Sequence, residues 1–253
     1  MPLVTFLSDF GCKDHYVAAV KAKIYALDTH IDVIDISHQI EHFNIAHGSF
    51  VLKSVFRDFP QNTVHLVAVN SVGPSREPYI AMRLENHFFV GTDNGLLGLL
   101  SEQEPEEIVK LTSSSTTFPA KDIFAPAAVS LAQGAALSAL GKPTEKFKKM
   151  IPRQVKVTQT QISGNVVQVD GYGNLITNID KQTFETLNAN NSFRIVFGRE
   201  ISESVHQSYH DTDYGDCFLL FNSLGLLEIG INNGNAYELL GLDYDSPVNV
   251  HFD

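Results

Sequence analysis

The hydrophobic pattern of the first half of the chain switches repeatedly between two periods. Short runs that are apolar or alternate with polar residues predict strands at residues 4–8, 31–37, 63–69, 79–84 and 87–90. Apolar positions three and four residues apart predict helices at residues 16–27, 44–59 and 123–133. Glu85 and Asn86 are expected to join the last two strands as a hairpin, and Gly134 to end the last helix. Strands that alternate with helices predict an α/β domain with a mainly parallel sheet.

The pattern changes in the second half, where helical spacing nearly disappears. Short β-type runs separated by Gly, Asn and Asp lie at residues 159–169, 192–197, 217–221, 226–231 and 248–252, with one helical turn at 183–187. Such runs are typical of a small β-barrel or sandwich, and we predict a barrel. The predicted domains are therefore 1–145 (α/β) and 155–253 (β-barrel), joined by a basic, proline-containing linker at 146–154.

Composition narrows the choice of partners and compartment. The 253 residues include 18 Lys and Arg but 29 Asp and Glu, a net charge of -11, which argues against nucleic acid and anionic membranes as partners. The chain has no apolar run of about 20 residues and no basic leader at its start. Cys12 and Cys217 are its cysteines, and it has no CxxC or HExxH motif. We therefore expect no metal site and a cytoplasmic location.

Two carboxylates follow the first predicted strand, in the segment Ser8-Asp9-Phe10-Gly11 and at Asp14. Open α/β sheets bind ligands at the carboxyl ends of their strands. One carboxylate there suits the two hydroxyls of a ribose, and the second suits an ammonium group. The alternative for Asp14 is structural, because aspartate is a favoured N-cap residue for the helix that follows.

Three further clusters allow both a ligand and a structural interpretation. The loop at 170–174 places Tyr172 between two glycines, flanked by Asp170 and Asn174. Its ring could stack on a purine while the amide pairs with the base edge, or the loop could be a hairpin bulge. Ser223, in the turn at 222–225, could receive a carboxylate or belong to a plain β-turn. The third cluster, at 93–95, favours a structural turn.

The order of these clusters resembles one family, the S-adenosylmethionine hydroxide adenosyltransferases, which are hydrolase relatives of fluorinases and chlorinases. The motifs are SDFG, TDNGLL, TFPAKDIFAPAA, DGYGNLITNI and FNSLGLLEIGINNG, and they span nearly the whole chain. The resemblance implies a homotrimer with sites between the first domain of one subunit and the second domain of the next. It also implies attack of water on the ribose C5′ of S-adenosylmethionine, giving adenosine and methionine without a cofactor.

The resemblance also implies roles for individual residues. Asp9 matches the carboxylate that holds the ribose hydroxyls, and Asp14 matches one that faces the methionine amino group. Phe43 falls where an aromatic side chain lines the pocket of the halogenating relatives. The second half supplies matches to a loop that holds the methionine part and the adenine, and to a serine near the methionine carboxylate: Asp170, Tyr172, Asn174 and Ser223.

The chain departs from the family where water is activated. The hydrolases use an Asp, an Arg and a His, but Asn70 stands at the position of the Asp and Pro119 at that of the His. Arg76 matches the arginine across a one-residue deletion, so Asn70 and Arg76 are the candidate catalytic positions. An amide cannot act as a base, although it can position water. We therefore expect slow or altered hydrolysis.

Two alternatives stay open beside hydrolysis of S-adenosylmethionine. One is a non-catalytic protein that binds S-adenosylmethionine or adenosine, and the other is an enzyme that acts on another adenosine compound. Three side chains are candidate replacements for the missing base: His65, His15 and Lys121.

Overall fold

The computed structural model describes residues 2–71, 78–112, 115–188 and 192–253. The chain divides into two compact units, residues 1–151 and 152–253. Arg76 lies outside the described residues. None of the helices in the described ranges is both long and apolar enough to cross a membrane.

The first unit is built on a mixed sheet. Its described strands are β1 (Leu3–Ser8), β2 (Asp32–Ser37), β3 (Val64–Ala68), β4 (Tyr79–Leu84), β5 (His87–Thr92), β6 (Glu107–Leu111) and β7 (Gly141–Pro143). They are ordered β2-β1-β3-β5-β4-β6-β7. The pairs among β2, β1, β3 and β5 are parallel, whereas β4, β6 and β7 pair antiparallel. The parallel sheet expected from the sequence is therefore present on one side, and the whole sheet is mixed.

Helices cover both faces of this sheet: α1 (Tyr16–Leu27), α2 (Ile45–Val55) and α3 (Ala125–Ala132), the last preceded by a π-helical turn (Ala120–Phe124). Residues of α1 and α3 share one core cluster with Phe6 and Leu66, and residues of α2 share another with Leu7 and Val67. Side chains at neighbouring strand positions point to opposite faces of the sheet, so β1 and β3 each contribute side chains to both core clusters. This explains their nearly continuous apolar sequence.

Several predicted boundaries are confirmed. Helix α1 has the expected bounds, and Glu85 (φ 50°) and Asn86 (φ 61°) join β4 to β5 with the two positive φ angles of a tight hairpin turn. Gly134 follows α3 with φ 91°. The helix predicted at 44–59 ends instead at Val55 and continues as a 3₁₀ turn, Phe56–Asp58.

The second unit is a nearly closed barrel of antiparallel strands. Its described strands are β8 (Lys156–Val157), β9 (Gln161–Val169), β10 (Leu175–Asp180), β11 (Phe193–Phe197), β12 (Glu200–Ser202), β13 (Cys217–Phe221), β14 (Leu226–Ile231) and β15 (Pro247–Phe252). They follow the order β12-β11-β15-β9-β10-β14-β13, with β8 on β9. A bridge between His206 and Leu220 links the chain beyond β12 to β13, which brings the two ends of the sheet together. Helices α4 (Lys181–Asn188) and α5 (Ala236–Leu240) complete the unit.

A pair of histidines is buried inside the first unit. The Nδ1 atom of His65 lies 2.7 Å from the Thr5 hydroxyl, and its Nε2 atom lies 3.1 Å from Nδ1 of His87. The His65 ring stacks on Phe89, and the ring of Phe56 packs against both histidines. Burial, with the nearby His87, lowers the pKa of His65 to about 3. His65 is therefore a neutral, packed residue of the core that does not line the cavity at the edge of the first unit's sheet, so among the candidate replacements for the missing base it is excluded.

Candidate functional site

A cavity of about 390 Å³ opens at the edge of the first unit's sheet. The chain that leaves β1, the loops after β2 and β3, and the segment before the π-helical turn all contribute to its wall. This is the carboxyl edge of the parallel strands, where α/β sheets bind ligands. The residues lining it are Asp9, Phe10, Asp14, Tyr16, His42, Phe43, Ser71, Thr117, Phe118 and Pro119.

Asp9 ties two of these loops together through one atom. Its Oδ2 accepts the backbone N–H groups of Phe43 and Asn70, each at 3.0 Å. Both donors are non-glycine residues with left-handed backbones, φ 64° at Phe43 and φ 47° at Asn70. Such conformations cost about 1 to 3 kcal/mol each and persist where the surrounding contacts impose them. Asp9 is 6% exposed and supplies those contacts.

The other oxygen of Asp9 is available to a ligand. Among the described residues, no hydrogen-bond donor contacts Oδ1, and Asp9 lines the cavity. Because Oδ2 already accepts two N–H groups, Oδ1 is the oxygen of Asp9 that is left for a ligand in the cavity. Its two lone pairs suffice for two hydroxyl donors.

The turn at 93–95 holds the loop after β3 by hydrogen bonds. The Nδ2 atom of Asn94 donates to the Val69 carbonyl at 2.9 Å, and its Oδ1 accepts the Leu96 N–H at 3.2 Å. Asn94 is buried, and Gly95 has φ 103°. The structural role favoured for this cluster is therefore confirmed, and that role fixes the chain just before Asn70.

Asp14 lies on the rim of the cavity with its carboxylate exposed. The N-cap of α1 is His15, which makes no side-chain capping hydrogen bond, so the alternative that Asp14 caps this helix is wrong. An aromatic wall, formed by Phe10, Tyr16 and Phe118, stands beside it, with ring centroids 5.5 to 5.9 Å apart. Flat apolar faces beside a carboxylate suit a cationic nucleoside.

Of the two predicted catalytic positions, Asn70 lies beside Asp9, and Arg76 lies outside the described residues. Asn70 contributes its backbone N–H to Asp9, but its side chain is not among those that line the cavity. Pro119 does line the cavity. His15 packs against Tyr16 with ring centroids 4.6 Å apart, and Lys121 lies in the π-helical turn. Neither His15 nor Lys121 lines the cavity.

A buried serine and histidine hold the SDFG segment from the opposite side. The Ser8 hydroxyl lies 2.7 Å from His38 Nδ1, and His38 Nε2 lies 3.1 Å from Asp35 Oδ1. The Gly11 N–H donates to the His38 carbonyl at 2.7 Å. Ser8 is fully buried and has no access to a substrate, so this arrangement positions the loop rather than supplying a nucleophile. Burial lowers the pKa of His38, although Asp35 opposes that shift.

The second unit contains the other predicted binding residues. Asp170 Oδ1 accepts the N–H groups of Tyr172 at 2.9 Å and Asn174 at 2.8 Å. The Asn174 amide donates to Asp170 Oδ2 at 3.2 Å and to Glu228 Oε1 at 3.1 Å. The amide nitrogen of Asn174 therefore donates within the second unit, and the pairing of this amide with a purine stays a prediction. Tyr172 lies at the tip of this loop and is 82% exposed, so the face of its ring is free for stacking.

Glu228 links this loop to the turn that carries Ser223. Its Oε2 accepts from the Asn222 amide at 3.0 Å, and Asn222 Oδ1 in turn accepts the N–H groups of Leu224 and Leu226. Glu228 is 4% exposed, and burial raises its pKa. Sequence reasoning missed this residue. The available signal is one acidic residue inside the apolar strand β14, which indicates a buried group with partners.

Replacing Glu228 with glutamine is expected to lower the free energy of unfolding by about 1 to 2 kcal/mol. Gln offers one acceptor oxygen, so either the buried Asn174 amide loses one of its two acceptors or the half-buried Asn222 amide loses its acceptor. Thermal or denaturant unfolding measures the effect. Glu185→Gln is the matched control, because Glu185 is exposed and its Oε1 lies 3.7 Å from Lys181 Nζ in a surface ion pair. This substitution should change the free energy of unfolding by less than about 0.5 kcal/mol. Equal effects of the two substitutions would count against the linking role.

The cavity, with its carboxylates and aromatic wall at the carboxyl edge of an α/β sheet, defines a small-molecule-binding protein. Comparison with known proteins gives the family. The N-terminal domain of the SAM hydroxide adenosyltransferases matches residues 4–141, and their C-terminal domain matches residues 164–249. The chain belongs to the S-adenosylmethionine (SAM) hydroxide adenosyltransferase family.

Relatives cover the chain over nearly its whole length. The (R)-S-adenosyl-L-methionine hydrolase of Methanocaldococcus jannaschii is 29% identical over 99% of this chain and 96% of its own. The enzyme of that name from Thermus thermophilus is 30% identical over 98% of each chain. A fluorinase from Actinopolyspora mzabensis is 23% identical over 91% of each.

Solved structures agree with the fold of this chain. The crystal structure of a conserved protein from Thermotoga maritima has a TM-score of 0.91 and 31% identity, covering 98% of this chain and 99% of its own. A conserved protein from Thermus thermophilus has a TM-score of 0.78 and 30% identity, with complete coverage of both chains.

Proposed function

We propose that the protein is an S-adenosylmethionine hydrolase, which uses water to displace methionine from the ribose C5′ and releases adenosine. The observation that carries the proposal is the full-length match to hydrolases of this name at about 30% identity. The cavity supports it, because Asp9 Oδ1 and the aromatic wall provide the groups that a ribose and an adenine need.

We propose for these residues the binding roles that the resemblance to the family implies. Asp9 Oδ1 accepts from the ribose hydroxyls, Asp14 faces the methionine ammonium, and Phe43 covers the pocket as an exposed aromatic side chain. In the second unit the exposed ring of Tyr172 stacks on the ligand, and Ser223 meets the methionine carboxylate. Asp170 and Asn174 keep that loop in shape through their mutual hydrogen bond.

The chemistry needs no cofactor. The sulfonium already makes methionine a good leaving group, so the protein's task is to place water in line with the C5′–S bond and to exclude other geometries. Asn70 and Pro119 replace two of the family's three activating groups. Water activation is therefore altered in this enzyme.

The test is incubation of the purified protein with S-adenosylmethionine, followed by chromatography for adenosine and methionine in equal amounts. Calorimetry with adenosine is run beside it. Binding without product would instead support the second candidate, a non-catalytic S-adenosylmethionine- or adenosine-binding protein, which the loss of the carboxylate at Asn70 favours. Turnover of a different adenosine compound in the same assay would support the third.

We also propose a homotrimer in which the cavity of one subunit is completed by the second unit of its neighbour. The proposal rests on the family and on the distribution of binding residues over both units. Sedimentation at micromolar concentration should give three times the 27.9 kDa chain mass, and a monomer would exclude the shared site.

A cytoplasmic location is part of the proposal. Both Cys12 and Cys217 are free thiols, as expected in a reducing compartment. Fractionation of cells that produce the protein from its own gene tests this location, and recovery from an oxidising compartment would contradict it.

A further inference from the structure

We propose that His42 is the general base that activates water in this enzyme, a role that the sequence comparison with the family leaves without an occupant. The inference rests on the proposed function and names a catalytic group for it. His42 lies on the loop after β2 and lines the cavity. Asp9, Asp14 and Pro119, from other segments of the chain, line the same cavity.

One hydrogen bond selects the tautomer of the neutral ring. His42 Nδ1 lies 2.7 Å from the backbone carbonyl oxygen of Asp9. A carbonyl can only accept, so Nδ1 carries the hydrogen. A neutral imidazole has one such hydrogen, which leaves Nε2 with an unshared electron pair. Among the described residues, no donor contacts Nε2 of His42, so this lone pair is available to a water molecule.

The ring is anchored to the residue that is proposed to hold the substrate. Asp9 receives the His42 side chain on its carbonyl and the Phe43 N–H on its Oδ2. Two hydrogen bonds from adjacent residues therefore lock the loop onto Asp9. A ribose held by Oδ1 therefore occupies the cavity that His42 also lines.

The other cavity groups are less suited to take a proton from water. Asp14 is committed to the substrate's ammonium group in the proposed complex, and a tyrosine hydroxyl or a serine, as at Tyr16 and Ser71, is a poor base at neutral pH. Asn70 has no basic atom. In the described part of the cavity wall, His42 is therefore the side chain best suited to replace the activating groups that Asn70 and Pro119 have displaced.

The proposed step balances. The water oxygen forms a bond to C5′ while His42 Nε2 takes one water proton, and the C5′–S bond breaks with its electron pair remaining on sulfur. Neutral methionine and adenosine leave, and the imidazolium then returns its proton to solvent. S-adenosylmethionine cation and water thus give adenosine, methionine and one proton.

The decisive variant is His42→Asn. The asparagine amide can still donate to the Asp9 carbonyl in place of Nδ1, but it offers no basic atom. We expect kcat to fall about 10²- to 10⁴-fold. We expect KM for S-adenosylmethionine, the dissociation constant of adenosine and the melting temperature to stay close to wild type. His30→Asn is the matched control, because His30 is 88% exposed and pairs with Asp28 at the surface.

A second readout separates a base from a purely structural histidine. The wild-type kcat should decline on the acid side, and this decline should be absent from the residual activity of His42→Asn. The titratable groups that share the cavity with the ring are Asp9, Asp14 and Tyr16. Added imidazole should partly restore the activity of His42→Ala.

The outcomes are distinguishable. If the wild type forms adenosine and His42→Asn keeps kcat within about threefold, the inference is overturned while the proposed function stands. If the wild type binds adenosine but forms none from S-adenosylmethionine, both are overturned. A fall in kcat with the acid-side decline unchanged would also overturn the inference, because the titrating group would then lie elsewhere.

Discussion

Replacing Asp9 with asparagine is expected to weaken adenosine binding about 10- to 100-fold and to leave the fold intact. The asparagine carbonyl can keep accepting the N–H groups of Phe43 and Asn70, as Oδ2 does now. Its amide nitrogen then takes the place of Oδ1 and cannot accept from the ribose hydroxyls. Loss of a charge-assisted acceptor costs about 1.5 to 3 kcal/mol. Calorimetric titration with adenosine measures the change.

Asp9→Ala separates the two functions of this side chain. It removes the acceptor for both backbone N–H groups, so we expect a loss of stability of about 1 to 3 kcal/mol beside the loss of binding. Asp32→Asn, an exposed carboxylate at the start of β2, is the control and should alter neither. An Asp9→Asn protein that is folded and binds adenosine with the wild-type dissociation constant would refute the assignment.

Acid is expected to destabilise the first unit through His65. The pKa of His65 is about 3 in the folded protein and about 6.5 when the chain is unfolded, so only the unfolded state binds the proton between these values. Stability from this group is therefore complete above pH 6.5 and is lost as pH falls towards 3. The loss is on the order of 3 kcal/mol between pH 7 and pH 4.

Denaturant unfolding at pH 7 and pH 4, followed by circular dichroism, tests this with His65→Gln beside the wild type. Each protein is compared with itself at pH 7, so any baseline cost of the substitution cancels. His38, His47 and His87 also have pKa values lowered by burial and contribute in the same direction in both proteins. Equal losses in the two proteins would show that His65 takes no part.

Much of the first unit could be predicted from the sequence, because its elements depend on local signals. The spacing of apolar residues predicts α1, and the pair Glu85-Asn86 predicts the hairpin.

In the second unit, the sequence pattern does not predict strand β10, because polar residues interrupt its apolar run. Thr177 donates to the Leu227 carbonyl at 2.9 Å, and Asn178 accepts the Asn165 N–H at 2.8 Å. These partners are distant in sequence, so the pattern alone could not show that the polar residues suit a strand.

The candidate site shows the same limit. Asp9 could be chosen from its position after a strand. That its Oδ2 accepts two backbone N–H groups while its Oδ1 stays available could not, because it depends on the loops after β2 and β3. His42 carried no signal of its own, since its contact with Asp9 spans 33 positions and exists because β1 and β2 pair in parallel. Glu228 and Asn174 likewise meet through the pairing of β10 with β14.

The convergence of two left-handed residues on one oxygen has a thermodynamic consequence. Phe43 and Asn70 belong to separate loops, yet neither can change its backbone without releasing the same acceptor. A ligand that binds only while Asp9 holds both loops therefore shifts the opening equilibrium of each loop towards the closed state, and the opening of either loop lowers the affinity for the ligand by the same coupling free energy. Hydrogen exchange at the amides of Phe43 and Asn70 should slow together when adenosine is added, although the two residues belong to loops that are far apart in the sequence.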